Sequence, residues 1–206
     1  MAGKKAERDR LRREAAVARV AAEDKFAEWW PILQMITVGD ASGVAPFLSA
    51  ESVRYIPPVE MYETNEPPAD LFSGACLRAK LPGMDAIAIK IAQMLVHEAV
   101  NDATFDLAGR RYSDQYVTPL HLAVMSGLPA VVGILLPHVD PLVQNIHGET
   151  AHKFAMLNKE PELARLIDNH LAQMERAELE ASTLAAAPTA VTVEEARRRR
   201  IDPFAK

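Results

Sequence analysis

Apolar residues along this chain fall into short runs of about two helical turns, punctuated by glycine and proline. Ile32-Leu33-Gln34-Met35-Ile36 predicts one short helix, Gly39-Asp40 a break, and Val44, Phe47 and Leu48 the inner face of a second. Leu71 to Lys80 predicts another, with Ala75, Cys76 and Ala79 facing inward and Pro82-Gly83 ending it. A longer helix follows, carrying Ile87, Ile89, Ile91, Met94, Leu95 and Val96. Thr118 is suited to cap the next helix, since its hydroxyl can accept an orphan amide of the first turn. Pro119 then occupies the first helical position, where its missing N–H costs nothing. Leu120, Leu122, Ala123 and Met125 are apolar, and Gly127 can take the left-handed geometry of a helix end. A partner helix is expected from Pro129 to about Pro137, then a last pair from Thr150 onward with Leu163, Leu166 and Ile167 in its second member. Helices this short are marginal alone and need neighbours of the same kind.

Thr118-Pro119-Leu120-His121-Leu122-Ala123 reproduces the T-P-L-H-x-A signature, and in this the chain resembles the ankyrin-repeat family, whose period is about 33 residues. Gly127, the Leu135-Leu136 pair and the Asn145-Ile146-His147-Gly148 turn also fall where such a repeat has them. The resemblance implies an all-α fold: an ankyrin-type solenoid of stacked helix-turn-helix repeats at about 26–56, 70–105, 116–147 and 148–175. The outer repeats are degenerate, as the first lacks the motif and the last has lost the proline and carries Lys153 in place of the histidine. Thr118, Pro119, His121 and Gly127 are the motif residues, and in the family the histidine ring links the backbones of adjacent repeats. Gly39, Gly83 and Gly127 are evenly spaced by 44 residues. That exceeds the family period, and the surplus is expected in long loops after each second helix.

The domain of 26–175 is flanked by a charged helical extension, 1–25, and a helical or flexible tail, 176–206. The extension alternates Lys4, Lys5, Arg8, Arg10, Arg12 and Arg13 with Glu7, Asp9 and Glu14 over a thin apolar stripe. It reads as a solvated helix, with a coiled-coil or docking helix and an anionic contact as alternatives. Phe26, Trp29 and Trp30 are expected to close the end of the stack, a ligand-stacking pair being the sharper alternative. In the tail, Thr192 to Glu195 fits a capping box ahead of Arg197 to Arg200; 192–206 reads as a solvated helical tail, with a docking peptide, and then nuclear targeting or nucleic-acid contact, as alternatives.

The two long connections are the expected site of partner binding. Around Pro57-Pro58, Val53, Tyr55, Ile56, Val59 and Tyr62 favour extended chain, so 49–70 reads as an ordered finger. Tyr55, Tyr62, Tyr112 and Tyr116 are the large amphipathic type that dominates interfaces. Arg110 and Arg111 can pair a partner's carboxylates, and Glu60 belongs to an acidic stretch suited to a basic partner. The competing reading is ordinary packing of these loops onto the helices.

Composition narrows the classes. A net charge of −5 gives no whole-chain reason to expect nucleic acid. One cysteine, Cys76, allows no internal disulfide, suits a small core position, and fits a reducing compartment or simple indifference to redox. No apolar run is long enough to span a bilayer, and the N-terminal basic residues lack the apolar core of a secretory signal. No nucleophile elbow, phosphate loop or dinucleotide fingerprint is present, and His138, Asp140, His147 and His152 have no i, i+4 metal-ligand spacing. No cofactor, metal or catalytic residue is therefore expected. The function expected is that of a protein-protein interaction module, an adaptor, scaffold or inhibitor. The alternative is an assembly component joined through its charged terminal helices. The location expected is the cytoplasm, or a host cytosol if the protein is an exported effector.

Overall fold

The computed structural model describes residues 2–57, 70–112 and 116–186. These are mostly helical, with no strand among them beyond the isolated bridges Tyr112–Val117 and Gln144–Thr150. The chain divides into two compact units, 1–167 and 168–206. In the second, the described residues are the remaining turns of the last helix.

Helix α1 runs unbroken from Ala2 to Val38. The charged extension and the first predicted short helix are thus one element, with Pro31 inside it. Proline supplies no amide there, so one helical hydrogen bond is lost while the rest continue. Residues 10–21 are exposed, and Arg10–Glu14 and Arg19–Glu23 form pairs one turn apart. From Trp29 on, one face is buried: Trp29, Ile32, Leu33 and Ile36. Phe26 stacks on Trp30 at 5.4 Å, and Trp29 meets Tyr55 edge-on at 5.8 Å. Trp30 remains 36% exposed, so of the two tryptophans only Trp29 is closed off.

Two short helices follow, α2 (Ala41–Val44) and α3 (Ala50–Arg54). The second lies where extended chain was expected. Ser49 and Ser52 cap each other reciprocally, satisfying two orphan amides at once, and Val53 is fully buried. Local capping thus outweighs the strand preference of Val53, whereas Tyr55, just past the helix, is extended.

Helices α4 (Leu71–Leu77), α6 (Pro119–Met125) and α8 (Ala151–Leu157) are each seven residues long. Each is preceded by a residue whose side chain accepts the third amide: Asp70 from Ser73, Thr118 from His121 and Thr150 from Lys153. They are followed by α5 (Met84–Asn101), α7 (Pro129–Leu135) and α9 (Pro161–Ala186). α1, α4, α6 and α8 touch in that order, as do α3, α5 and α7, and α4 packs on α5 as α6 does on α7. The result is two files of helices with the core between them, lined by Phe72, Leu95, Leu120 and Leu135.

The turns between paired helices recur. Asp40 N–H donates to Met35 O, Leu128 N–H to Ala123 O and Glu160 N–H to Ala155 O, each five residues back. Gly39, Gly127 and Lys159 supply the positive φ (81°, 67° and 61°) that this turn requires. Gly83 has a positive φ too, but it caps the start of α5, after two further turns. Its even spacing from Gly39 and Gly127 is therefore numerical; part of the surplus length in that unit lies between α4 and α5.

Candidate functional site

Three features could serve a function: the polar links between successive units, an exposed row on the first helices, and a cleft beside α1.

The motif histidine makes the first link. His121 is 1% exposed, with Nδ1 2.8 Å from Thr118 Oγ1 and Nε2 2.9 Å from Glu149 O. A carbonyl only accepts, so Nε2 carries the proton and Nδ1 accepts from the threonine hydroxyl. The neutral ring thus joins the cap of α6 to the backbone just before α8. Burial holds its pKa below the ordinary histidine value, against the raising pull of Glu149. Asn145 stiffens the receiving turn, its side-chain oxygen accepting from His147 and Glu149 amides. Of the remaining motif positions, Thr118 and Pro119 are buried and Gly127 forms the turn.

The preceding junction uses different groups. Asp70, at the cap of α4, binds the guanidinium of Arg110 and accepts from Tyr112 Oη at 3.0 Å. Arg110 also donates to Arg54 O at 2.7 Å and to Val53 O, carbonyls at the end of α3 that lack helical partners. Phe105 lies under both Arg110 and Arg54, 5.0 and 4.9 Å from their guanidinium carbons. Arg54 in turn pairs Glu98 and Asp102. Hydrogen bonds from Thr104 and then Arg54 hold the Asp102 carboxyl down at about 2. Burial pushes Asp70 the other way, above the usual carboxylate range, opposed chiefly by Arg110.

This corrects part of the expected partner site. Arg110 and Tyr112 are each 6% exposed and have partners within the chain, so the carboxylate that Arg110 pairs is Asp70. A buried guanidinium is costly unless paired, and this one has three acceptors, Asp70 and the Val53 and Arg54 carbonyls. Arg111 is exposed and bonds Ala108 and Arg110 carbonyls. Tyr116 is 58% exposed and stands at φ 56°, a strained setting for tyrosine. Tyr55 is half-buried against Trp29. Glu60, Tyr62 and the 192–206 peptide lie outside the described residues.

The row was not anticipated as a unit. Leu77, Met125 and Leu157 each stand seven residues after their cap, on α4, α6 and α8, and are 60%, 43% and 59% exposed. Because those helices adjoin in order, the three side chains occupy one register position on neighbouring elements. Only the recurrence of the cap position reveals this, and Asp70 does not look like the Thr118 cap.

The cleft lies between α1 and α3 and measures about 220 Å³. Trp29, Ile32, Phe47 and Tyr55 line it, with Lys25, Glu28 and Glu51 among its charged residues.

Among the described residues no group of three or more His, Cys, Asp or Glu is placed to hold a metal ion. Cys76 is buried, and burial raises its thiol far above the range in which a thiolate forms. No helix among the described residues is long and apolar enough to cross a membrane. No protein-family model matches the chain, and comparison with curated proteins gave no match.

Proposed function

We propose that this chain is an ankyrin-type repeat protein whose work is to hold another protein. The carrying observation is the register of Leu77, Met125 and Leu157: three exposed apolar side chains at one position of three neighbouring helices. Leaving such residues in water gains the fold nothing, whereas a partner laid along the file would cover all three. Supporting the repeat reading are the equal length of α4, α6 and α8, their equivalent caps, and the recurring turn at Gly39, Gly127 and Lys159. Arg111 and Tyr116, exposed on the connection before α6, offer a further polar and a further aromatic group for contact. A scaffold, adaptor or inhibitor acting in a cytoplasm is the role this favours, with no catalytic step.

The test is affinity capture with the wild type and with Leu77→Asp/Met125→Asp/Leu157→Asp. The reading requires that a defined set of proteins be lost by the triple variant while its melting temperature stays near wild type. Retention of the same set by a folded triple variant contradicts it.

A further inference from the structure

The cleft between α1 and α3 has a composition that the partner-binding row does not explain. Its walls are aromatic and aliphatic: Trp29, buried, meets Tyr55 edge-on at 69°, and Phe47, 57% exposed, also lines it. Among the described residues that line it, the charged groups are the carboxylates of Glu28 and Glu51 and the ammonium of Lys25. Lys25 Nζ sits 2.8 Å from Glu51 Oε1, so the chain already places a cation of its own there and still has one carboxylate in excess. Aromatic faces attract cations through their quadrupole, and apolar walls favour a cation whose charge is spread over methyl groups rather than a hydrated ammonium. About 220 Å³ accommodates a trimethylammonium head with a short stem.

From this we infer that the cleft is a binding site for a small quaternary ammonium compound of the choline type. The methyl groups rest against Phe47 and Tyr55, the charge faces Glu28 and Glu51, and Lys25 yields its place and turns to solvent, where its side chain already is 57% exposed.

The experiment uses the full chain, choline as the probe, and neohexyl alcohol, in which carbon replaces the charged nitrogen, as control. The indole N–H signals of Trp29 and Trp30, told apart by Trp30→Phe, report binding at constant ionic strength. Choline moves the Trp29 signal saturably, and the neutral isostere binds at least about tenfold more weakly. Glu28→Gln/Glu51→Gln weakens choline about tenfold, whereas Lys25→Gln, which removes the internal competitor from an exposed position, tightens it about threefold. The opposite signs separate charge recognition from damage to the fold. Equal binding of the neutral isostere, no saturable movement of Trp29, or weakening by Lys25→Gln overturns the proposal.

Discussion

Asp70 and Arg110, forty residues apart in the chain, form an ion pair whose side chains are only 1% and 4% exposed. Thr118, His121 and Glu149 O make the corresponding link one unit later with neutral groups. The two junctions therefore answer differently to mutation and to pH.

At the charged junction, Arg110→Met is expected to cost about 3–5 kcal/mol, because it strands a buried carboxylate. Asp70→Asn/Arg110→Met removes both charges while keeping an acceptor for the Ser73 amide, and should regain much of that loss. Urea denaturation of the two single variants and the double measures the coupling. Strictly additive costs would mean that the pair does not act as a unit.

Tyr112→Phe removes one hydroxyl donated to Asp70 and is expected to cost about 1–2 kcal/mol. Tyr116→Phe, at an exposed ring, should leave stability within about 0.5 kcal/mol. Equal effects at the two sites would count against the interior placement of Tyr112.

At the neutral junction, His121→Ala should lower stability by about 2–4 kcal/mol at pH 7.5, through two buried hydrogen bonds and the space left behind. Its folded pKa is depressed, so the unfolded chain takes up the proton first. The histidine's contribution is complete above about pH 6.5 and is lost as pH falls through the lower folded value. The gap between wild type and His121→Ala should narrow on acidification; a gap independent of pH between 7.5 and 5.5 would refute the assignment.

Lys159 holds the positive φ that Gly39 and Gly127 hold in the equivalent turns. Lys159→Gly should raise stability by about 0.5–1 kcal/mol, read as a higher melting temperature, since glycine takes that geometry without strain. A fall in melting temperature would mean that the lysine side chain earns more than its backbone loses.

The stretch from Thr118 to Gly127 was readable because each residue acts within its own turn: a cap, a first-turn proline, a glycine at the helix end. The link at Asp70 was not, because its partners, Arg110 and Tyr112, come from a connection 40 residues on and are recognisable only when folded. The same connection looked like an interface for a sound reason, since buried pairs and binding surfaces draw on the same residue types, arginine and tyrosine. At Ser52 and Val53, side-chain preference pointed to extended chain, while two serines, three apart, set a helix over 50–54 instead. Gly83 misled by arithmetic, its spacing matching although its place in the turn does not. The exposed row required knowing which residue of each unit is the cap. At α4 that residue is an aspartate in place of threonine.

Hydrogen exchange of the chain, free and bound to a protein recovered with it, addresses the central claim most directly. New protection should appear together in α4, α6 and α8, around Leu77, Met125 and Leu157, with α5 and α7 little changed. Protection confined to α5 and α7, or to the exposed residues 10–21 of α1, would contradict the account.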